Sequence, residues 1–383
     1  MTAVELLALP DLELFARADH SCRATFGPSV FLRGLLEVSN RCVRDCLYCG
    51  IRRSNSKVRR YSMGDDEIVA AVARGHEAGL RSFVLQGGED PDFTPDRLAR
   101  LASRLRQRLG EDSALVLSFG TMRKSDYQAI KSGGADRYLI RFETSDEDLH
   151  TRLRGSPLAR RLSAIDDLKA LGFEVGTGFM TGLPGSTEES LAADVALAAS
   201  IGPDMIGIGP FIPHPGTPLG ESEGRGLGPA LRAVAALRLL LPEANMPATT
   251  AAGSVAPDGR ERMLAAGANV LMPNIGPVDA KRDYELYPGK ICLDEDGLSC
   301  IGCLSIRAMT VGKRLDRSRG DSPSFERRAA LARSRESGPR AEIAGRHNAE
   351  AGRHNAEAGR HNAEAGRHNA EAVTHSPDCA QGA

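Results

Sequence analysis

The sequence predicts an α/β fold, a closed (β/α)8 barrel of the TIM type, and three observations predict it. Eight short apolar runs alternate with helix-period segments, several of those segments stop at glycine, and the chemically unusual residues lie just past the C-terminal ends of the runs. That end of such a barrel is where sites are built. The pattern occupies roughly 240 residues, close to the ~250 typical of the architecture. An open doubly wound sheet is the alternative, and it would also place a site at the C-terminal strand ends.

In chain order, a helix from Val4 to about Ala18 opens an N-terminal extension covering residues 1–33. The barrel is expected over residues 34–276. Its candidate strands are Gly34–Ser39, Ser82–Gln86, Ala114–Ser118, Arg137–Glu143, Glu174–Met180, Met205–Gly209, Met246–Thr249 and Asn269–Met272, short apolar runs of strand length. Helical patterns fit Asp65–Ala78, Asp96–Leu109, Lys124–Ser132, Ala159–Leu171, Glu188–Ser200, Pro229–Leu241 and Pro257–Ala266. Gly79, Gly133, Gly172 and Gly267 supply helix stops. Residues 277–309 read as a segment that closes the barrel and carries a second cysteine group. Beyond it the chain turns rich in Arg and Ser, and AGRHNAE recurs four times between Ala344 and Glu371. Each repeat holds Gly and Asn but no large apolar residue, so 310–383 is expected to be a disordered low-complexity tail. Deleting 311–383 is expected to leave catalysis unchanged. The seven-residue period would put the repeated His on one face of a helix, and metal binding by that array is the alternative.

Composition excludes several classes. Hydrophobic content of 41% with 26% charge is that of a globular protein. No apolar run approaches the ~18 residues of a membrane helix, and the start MTAVELLALPDLELF lacks the basic region of a secretory signal. A net charge of −1 gives no pull toward nucleic acid or membranes. Three of the eight cysteines fall within Cys42–Cys49 and three within Cys292–Cys303, while Cys22 and Cys379 stand alone. Without an export signal, such clusters read as metal ligands in a reducing cytoplasm rather than as disulfides.

The segment GLLEVSNRCVRDCLYCGIRRSN is the most informative. Cys42, Cys46 and Cys49 supply three thiolates in a Cys-x3-Cys-x2-Cys spacing, whereas a structural zinc site wants four ligands. A 4Fe–4S cluster on three cysteines leaves one iron open. That iron can chelate a molecule bearing amino and carboxylate groups, and S-adenosylmethionine (SAM) fits. A zinc knuckle with a distant ligand, or an electron-transfer cluster with a remote fourth cysteine, are the alternatives. In Arg137-Tyr-Leu-Ile-Arg-Phe-Glu143, strand alternation sends Arg141 and Glu143 to one face and Phe142 to the other. Inward charges are costly unless paired. Arg141 suits a carboxylate and Glu143 an ammonium or ribose hydroxyls, with Arg161 a second carboxylate contact; an internal salt bridge is the alternative. Gln86-Gly87-Gly88-Glu89 follows the second strand, where glycine admits close approach. The glycine-dense stretch from Gly176 to Gly185, with Gly178 and Gly182, suggests backbone approach by adenosine or a tight barrel corner.

The cysteine motif after the first strand resembles the signature of the radical SAM superfamily. The resemblance implies one-electron reduction of a 4Fe–4S cluster and cleavage of SAM to methionine and a 5′-deoxyadenosyl radical, chemistry that the cofactors carry. It places Tyr48 beside the adenine, the Gly87-Gly88-Glu89 turn at the SAM amino group, and Arg141, Glu143, Arg161, Gly178 and Gly182 around the same ligand. Arg141 and Glu143 are the residues on which it centres catalysis.

Further segments, CVRDCLYCGIRRSN, RYLIRFETS, GFMTGLPGST, IGIGPFIPHPGTPL, MPATTA and YELYPGKIC, resemble the HydE family of FeFe-hydrogenase maturases over about residues 10–305, and in part methylornithine synthase and biotin synthase. Cys292, Cys300 and Cys303 resemble that family's auxiliary cluster motif, for which no catalytic role follows; a zinc site with an outside ligand is the alternative. The resemblance implies a small organometallic substrate, a cysteine-bound iron complex in hydrogenase active-site assembly, and as partners the other hydrogenase maturases and a low-potential electron donor. It carries a substrate pocket onto Gln86, Thr249, Thr250, Tyr284 and Tyr287. β-propensity and core packing would also explain the threonines and tyrosines. His214, in PFIPHPGTP, is expected to shape a rigid loop. Gly87 stands where some relatives have serine, removing a hydroxyl contact. A methylornithine-synthase-like or biotin-synthase-like enzyme acting on a small organic substrate, and a non-catalytic iron–sulfur scaffold, are the competing functions.

Overall fold

The computed structural model describes residues 1–336; the AGRHNAE repeats, with the disorder expected of them, and Cys379 lie outside the described residues. The strands are β1 (Ser29–Leu32), β2 (Gly34–Ser39), β3 (Ser82–Gly87), β4 (Ala114–Ser118), β5 (Arg137–Leu139), β6 (Glu174–Thr181), β7 (Met205–Pro210), β8 (Val270–Leu271) and β9 (Arg314–Asp316). From β2 to β7 they lie side by side in sequence order, every neighbour parallel. Parallel neighbours require crossovers, and helices supply them. Shorter contacts close the ring: Met205 bridges Asn245, Pro247 bridges Val270, and Leu35 bridges Asn274. The predicted barrel is therefore present, with its seventh and eighth strands reduced to single bridges and a two-residue strand. The reason is local, since Pro247 has no N–H to offer a ladder.

Alternation along the strands sets two faces. Leu36, Val38, Leu85, Leu117, Ile206 and Ile208 face outward and are buried under the helices. Leu35, Val84, Val116 and Met205 face inward, and with Met272 they form a small apolar layer across the barrel interior. The helix Pro95–Leu109 shows how the outer layer is specified. Thr94 caps it, Pro95 begins it, and Leu98, Leu101, Leu105 and Leu109 bury one face. Each fully buried leucine contributes about 1.5–3 kcal/mol.

Three expectations need correction. The N-terminal helix is two helices, Ala3–Leu7 and Asp11–Phe26, broken at Pro10, and the extension also holds β1. The fourth strand stops at Leu139 and regains one bridge at Glu143. The tail does not begin at residue 310. β9 pairs in parallel with β1, and a helix runs over Pro323–Glu336. At the N-terminal ends of the strands, fully buried Arg137 pairs with Glu174 and donates to Asp321 at 2.7 Å, while Arg319 donates to Asp136 at 2.6 Å. These partners lie far apart in sequence, so an Arg- and Ser-rich stretch that reads as solvated closes that end of the barrel instead. Residues Met1–Glu326 form one compact unit, and the described part of the second is the continuation of the last helix.

Candidate active site

The loop after β2 is fixed before it reaches any ligand. Ser39 donates to Asp90 at 2.6 Å, and Asn40 donates to the carbonyls of Arg59 and Asp283. The Gly88 turn packs directly on the loop: a Cβ there would stand 2.2 Å from the Arg41 carbonyl. That contact explains the glycine as loop packing as well as ligand approach. Cys42 Sγ accepts the backbone N–H of Glu89 at 3.3 Å and of Arg44 at 3.4 Å. On the far side the Gly50 N–H donates to the Leu286 carbonyl at 2.9 Å, and a Cβ on Gly50 would meet the Glu285 carbonyl at 2.1 Å.

Cys42, Cys46 and Cys49 all line one cavity of about 340 Å3 at the C-terminal ends of the strands. Burial, reinforced by Cys46, pushes the Cys49 thiol up to about 12, and burial also raises Cys42. Buried thiols that repel one another as thiolates are a site for cations, and binding iron there releases protons. Among the described residues no three His, Cys, Asp or Glu side chains converge to hold a single metal ion. Three cysteines on one loop lining one cavity fit a cluster in which each thiolate binds a different iron.

A charged wall faces the thiols. Phe142 is fully buried and stacks on Phe179 with ring centroids 5.5 Å apart, leaving Arg141 and Glu143 inside as predicted. Glu143 sits at φ 70, a left-handed backbone costing on the order of 1–3 kcal/mol that clusters at functional sites. Its carboxylate lies 3.2 Å from Arg141 Nε and 3.8 Å from Arg154. Burial alone would raise Glu143, but Arg141, Arg154 and Arg161 together hold it below the usual carboxylate value. Glu89 lies 3.5 Å from Arg154 and 3.7 Å from Arg161. Arg141 Nε and Glu143 Oε2 form their ion pair without hydrogen-bond geometry, and Arg154 Nε is buried without a hydrogen-bond partner. Buried charged groups whose hydrogen bonds are left incomplete suit a ligand carrying both carboxylate and ammonium groups.

Tyr48, Gln86, Gly87, Gly88, Glu89, Arg161, Thr249, Thr250, Tyr284 and Tyr287 line the same cavity. Two predicted residues do not. Gly178 is glycine because a Cβ would stand 2.0 Å from the Gly207 carbonyl on β7, and Gly182 because its φ is +75 beside Arg225. Backbone geometry alone accounts for both glycines. His214 is buried, its Nδ1 accepting from the Gly216 N–H at 2.9 Å, which shapes the proline-rich loop as expected. Of the second cysteine group, Cys292 and Cys300 line one small cleft that Cys303 does not. Cys300 Sγ lies 2.9 Å from Glu295, and Cys292 is exposed.

Arg154, Glu37 and Lys290 are among the cavity residues that escaped sequence reasoning. Arg154 donates to the Tyr48 hydroxyl at 2.6 Å, yet in HTRLRG it reads as the end of a surface helix. Glu37 and Lys290 form a buried ion pair at 2.6 Å. Glu37 did carry a signal, as the single charge in an otherwise apolar first strand.

Comparison with known proteins shows what the chain is similar to. The family model described as the radical SAM superfamily matches residues 36–198. The chain is 42% identical to the [FeFe] hydrogenase maturase subunit HydE of Thermotoga maritima over 80% of this chain and 88% of that one. It is 30% identical to 3-methylornithine synthase of Methanosarcina acetivorans over 67% of this chain and 72% of that one. Among solved structures, methylornithine synthase (PylB) superposes with a TM-score of 0.71 at 26% identity, covering 82% of this chain and 93% of the other.

Proposed function

The chain belongs to the radical SAM superfamily, and from that premise we propose that it is a HydE-type maturase acting on a cysteine-bound iron precursor of the FeFe-hydrogenase active site. The observation that carries this reading is the 42% identity to HydE across 88% of that chain, joined to the charged, thiol-lined cavity. Membership in the superfamily implies a 4Fe–4S cluster and SAM. When bound, they supply electron transfer and cleavage of SAM to a 5′-deoxyadenosyl radical.

The chain's own residues do the rest. Cys42, Cys46 and Cys49 would hold the cluster, with the amides of Glu89 and Arg44 stabilising charge on Cys42. Arg141 and Arg161 would bind the SAM carboxylate, and Glu143 and Glu89 its ammonium or ribose hydroxyls. Arg154 fixes Tyr48 beside them. Gln86, Thr249, Thr250, Tyr284 and Tyr287 would line the substrate side of the cavity. Cys292, Cys300 and Cys303 would take a second iron–sulfur cluster with no part in the chemistry. No helix among the described residues is long and apolar enough to cross a membrane, and the reading places the protein in the cytoplasm with the other hydrogenase maturases and a low-potential electron donor.

Anaerobic in vitro maturation of FeFe-hydrogenase tests the proposal, with this protein or its Cys46→Ala variant as the sole variable. Hydrogen evolution that requires the intact motif is expected. The similarity to methylornithine synthases gives the second reading, a mutase acting on a free amino acid. SAM cleavage without hydrogenase maturation would favour it.

A further inference from the structure

The cavity holds a second buried ion pair that the SAM site does not use. Glu37 points inward from the middle of β2, one layer above the apolar floor at Leu35. Lys290 reaches it from the segment that follows β8, donating to both carboxylate oxygens at 2.6 and 2.7 Å and to the Tyr284 carbonyl at 3.1 Å. Asn274 Nδ2 completes the carboxylate at 2.7 Å. The side chains are only 4% and 8% exposed, yet both line the cavity. A buried pair of this kind stabilises a fold no better than well-packed hydrophobic residues do. Held against an internal cavity, it is instead a preformed cation and anion facing whatever enters.

Placement separates this pair from the other. Arg141 and Glu143 follow β5, while Glu37 lies on β2, three strands away round the ring, so the two pairs sit on different walls of one cavity. The Glu37 side also carries Tyr284, whose ring lies 5.1 Å beneath the Lys290 ammonium. An ionised carboxylate has about four acceptor positions, and Glu37 uses three, which leaves one for a ligand ammonium. Lys290 spends two donors on a single carboxylate, one more than holding the pair requires. That donor can turn to a ligand carboxylate while the pair stays intact.

We propose that Glu37 and Lys290 form the recognition site for the α-ammonium and α-carboxylate of an amino-acid substrate, opposite the wall that binds SAM. The inference rests on the reading that substrate and SAM share this cavity. It applies equally to a metal-bound cysteine and to a free amino acid, because both present the same two groups.

The test measures equilibrium binding to the full-length, anaerobically reconstituted protein with SAM present, read by calorimetry. The probes are S-methyl-L-cysteine, 2-(methylthio)ethylamine, which lacks the carboxylate, and 3-(methylthio)propanoate, which lacks the ammonium. Thioethers are used so that no thiolate competes for iron. The wild type is expected to prefer the amino acid over each single-charge analogue by roughly tenfold or more, the equivalent of one charge-assisted contact. Lys290→Met should erase the preference over the amine and keep that over the acid, and Glu37→Gln should do the reverse. Lys290→Arg should retain both preferences. A wild type with no preference overturns the proposal without recourse to any variant. A pair that only clips the segment in place would lose affinity for all three probes equally in the variants, which also overturns it. Hydrogenase maturation by a wild type lacking the preference would leave the maturase reading standing and sink only this site. The reverse result would keep the site and sink the maturase.

Discussion

Replacing Arg141 with methionine separates the proposed SAM-binding wall from the proposed cluster loop. Arg141 Nη2 donates to the Phe179 carbonyl at 2.5 Å, and Nε stands 3.2 Å from Glu143. Both contacts lie on β6 or on the segment just past β5, not on the cysteine loop. Methionine keeps the apolar stem and removes the cation. A hydrogen bond to a charged group is worth about 1.5–3 kcal/mol, so SAM should bind roughly 10–150-fold more weakly. Arg154 and Arg161 still face Glu143, so part of the positive charge that holds its carboxyl down remains. Iron per chain should not change. Anaerobic equilibrium dialysis with labelled SAM, alongside iron analysis of the same samples, reads both quantities. An unchanged Kd would refute the assignment of Arg141 to the SAM carboxylate. Loss of iron together with SAM would show that Arg141 supports the loop instead.

Three further outcomes are expected. Gly88→Ala places a Cβ 2.2 Å from the Arg41 carbonyl and 2.8 Å from Cys42 Cβ; overpacking of this kind costs about 1–3 kcal/mol, and iron content after reconstitution should fall while the barrel stays folded by circular dichroism. Asp321→Ala takes one partner from buried Arg137 but leaves Glu174, so urea unfolding should show a loss somewhat below the ~3–5 kcal/mol of a fully broken buried pair, and truncation after residue 310 should be worse. Burial raises Asp194 from 3.8 to about 6 against the pull of its Ser145 and Thr144 hydrogen bonds. The folded state then holds a proton that the unfolded state has lost, so stability is full below pH 3.8 and declines as pH rises through about 6, by on the order of 3 kcal/mol. Asp194→Asn keeps an acceptor for the Ser145 amide and should flatten that dependence in melts between pH 4 and 7; an identical slope in both proteins would show that Asp194 is not its source.

The barrel was legible wherever local rules act alone. Ala114–Ser118 is a strand with the limits its apolar run implies, and glycine follows helices as expected at Gly172 and Gly267. The last two strands read correctly as apolar runs, but Pro247 denies the seventh a ladder. The cysteine loop and the inward pair Arg141–Glu143 were legible because spacing and alternation fix them. What the sequence hid was pairing across long separations. Nothing near Arg319 or Asp321 announces Asp136 and Arg137, nearly two hundred residues away. Lys290 is ordinary until Glu37 appears beside it. Gly178 and Gly182 are ambiguous in sequence because glycine marks close approach without saying to what: one meets the neighbouring strand, and the other takes a left-handed turn.

Production of 5′-deoxyadenosine from SAM under a strong reductant tests the central assignment most directly. The wild type should form it, and Cys46→Ala should form none, because two thiolates do not hold the cluster. Undiminished product from Cys46→Ala, or no product from an iron-replete wild type, would contradict the radical SAM account of this cavity.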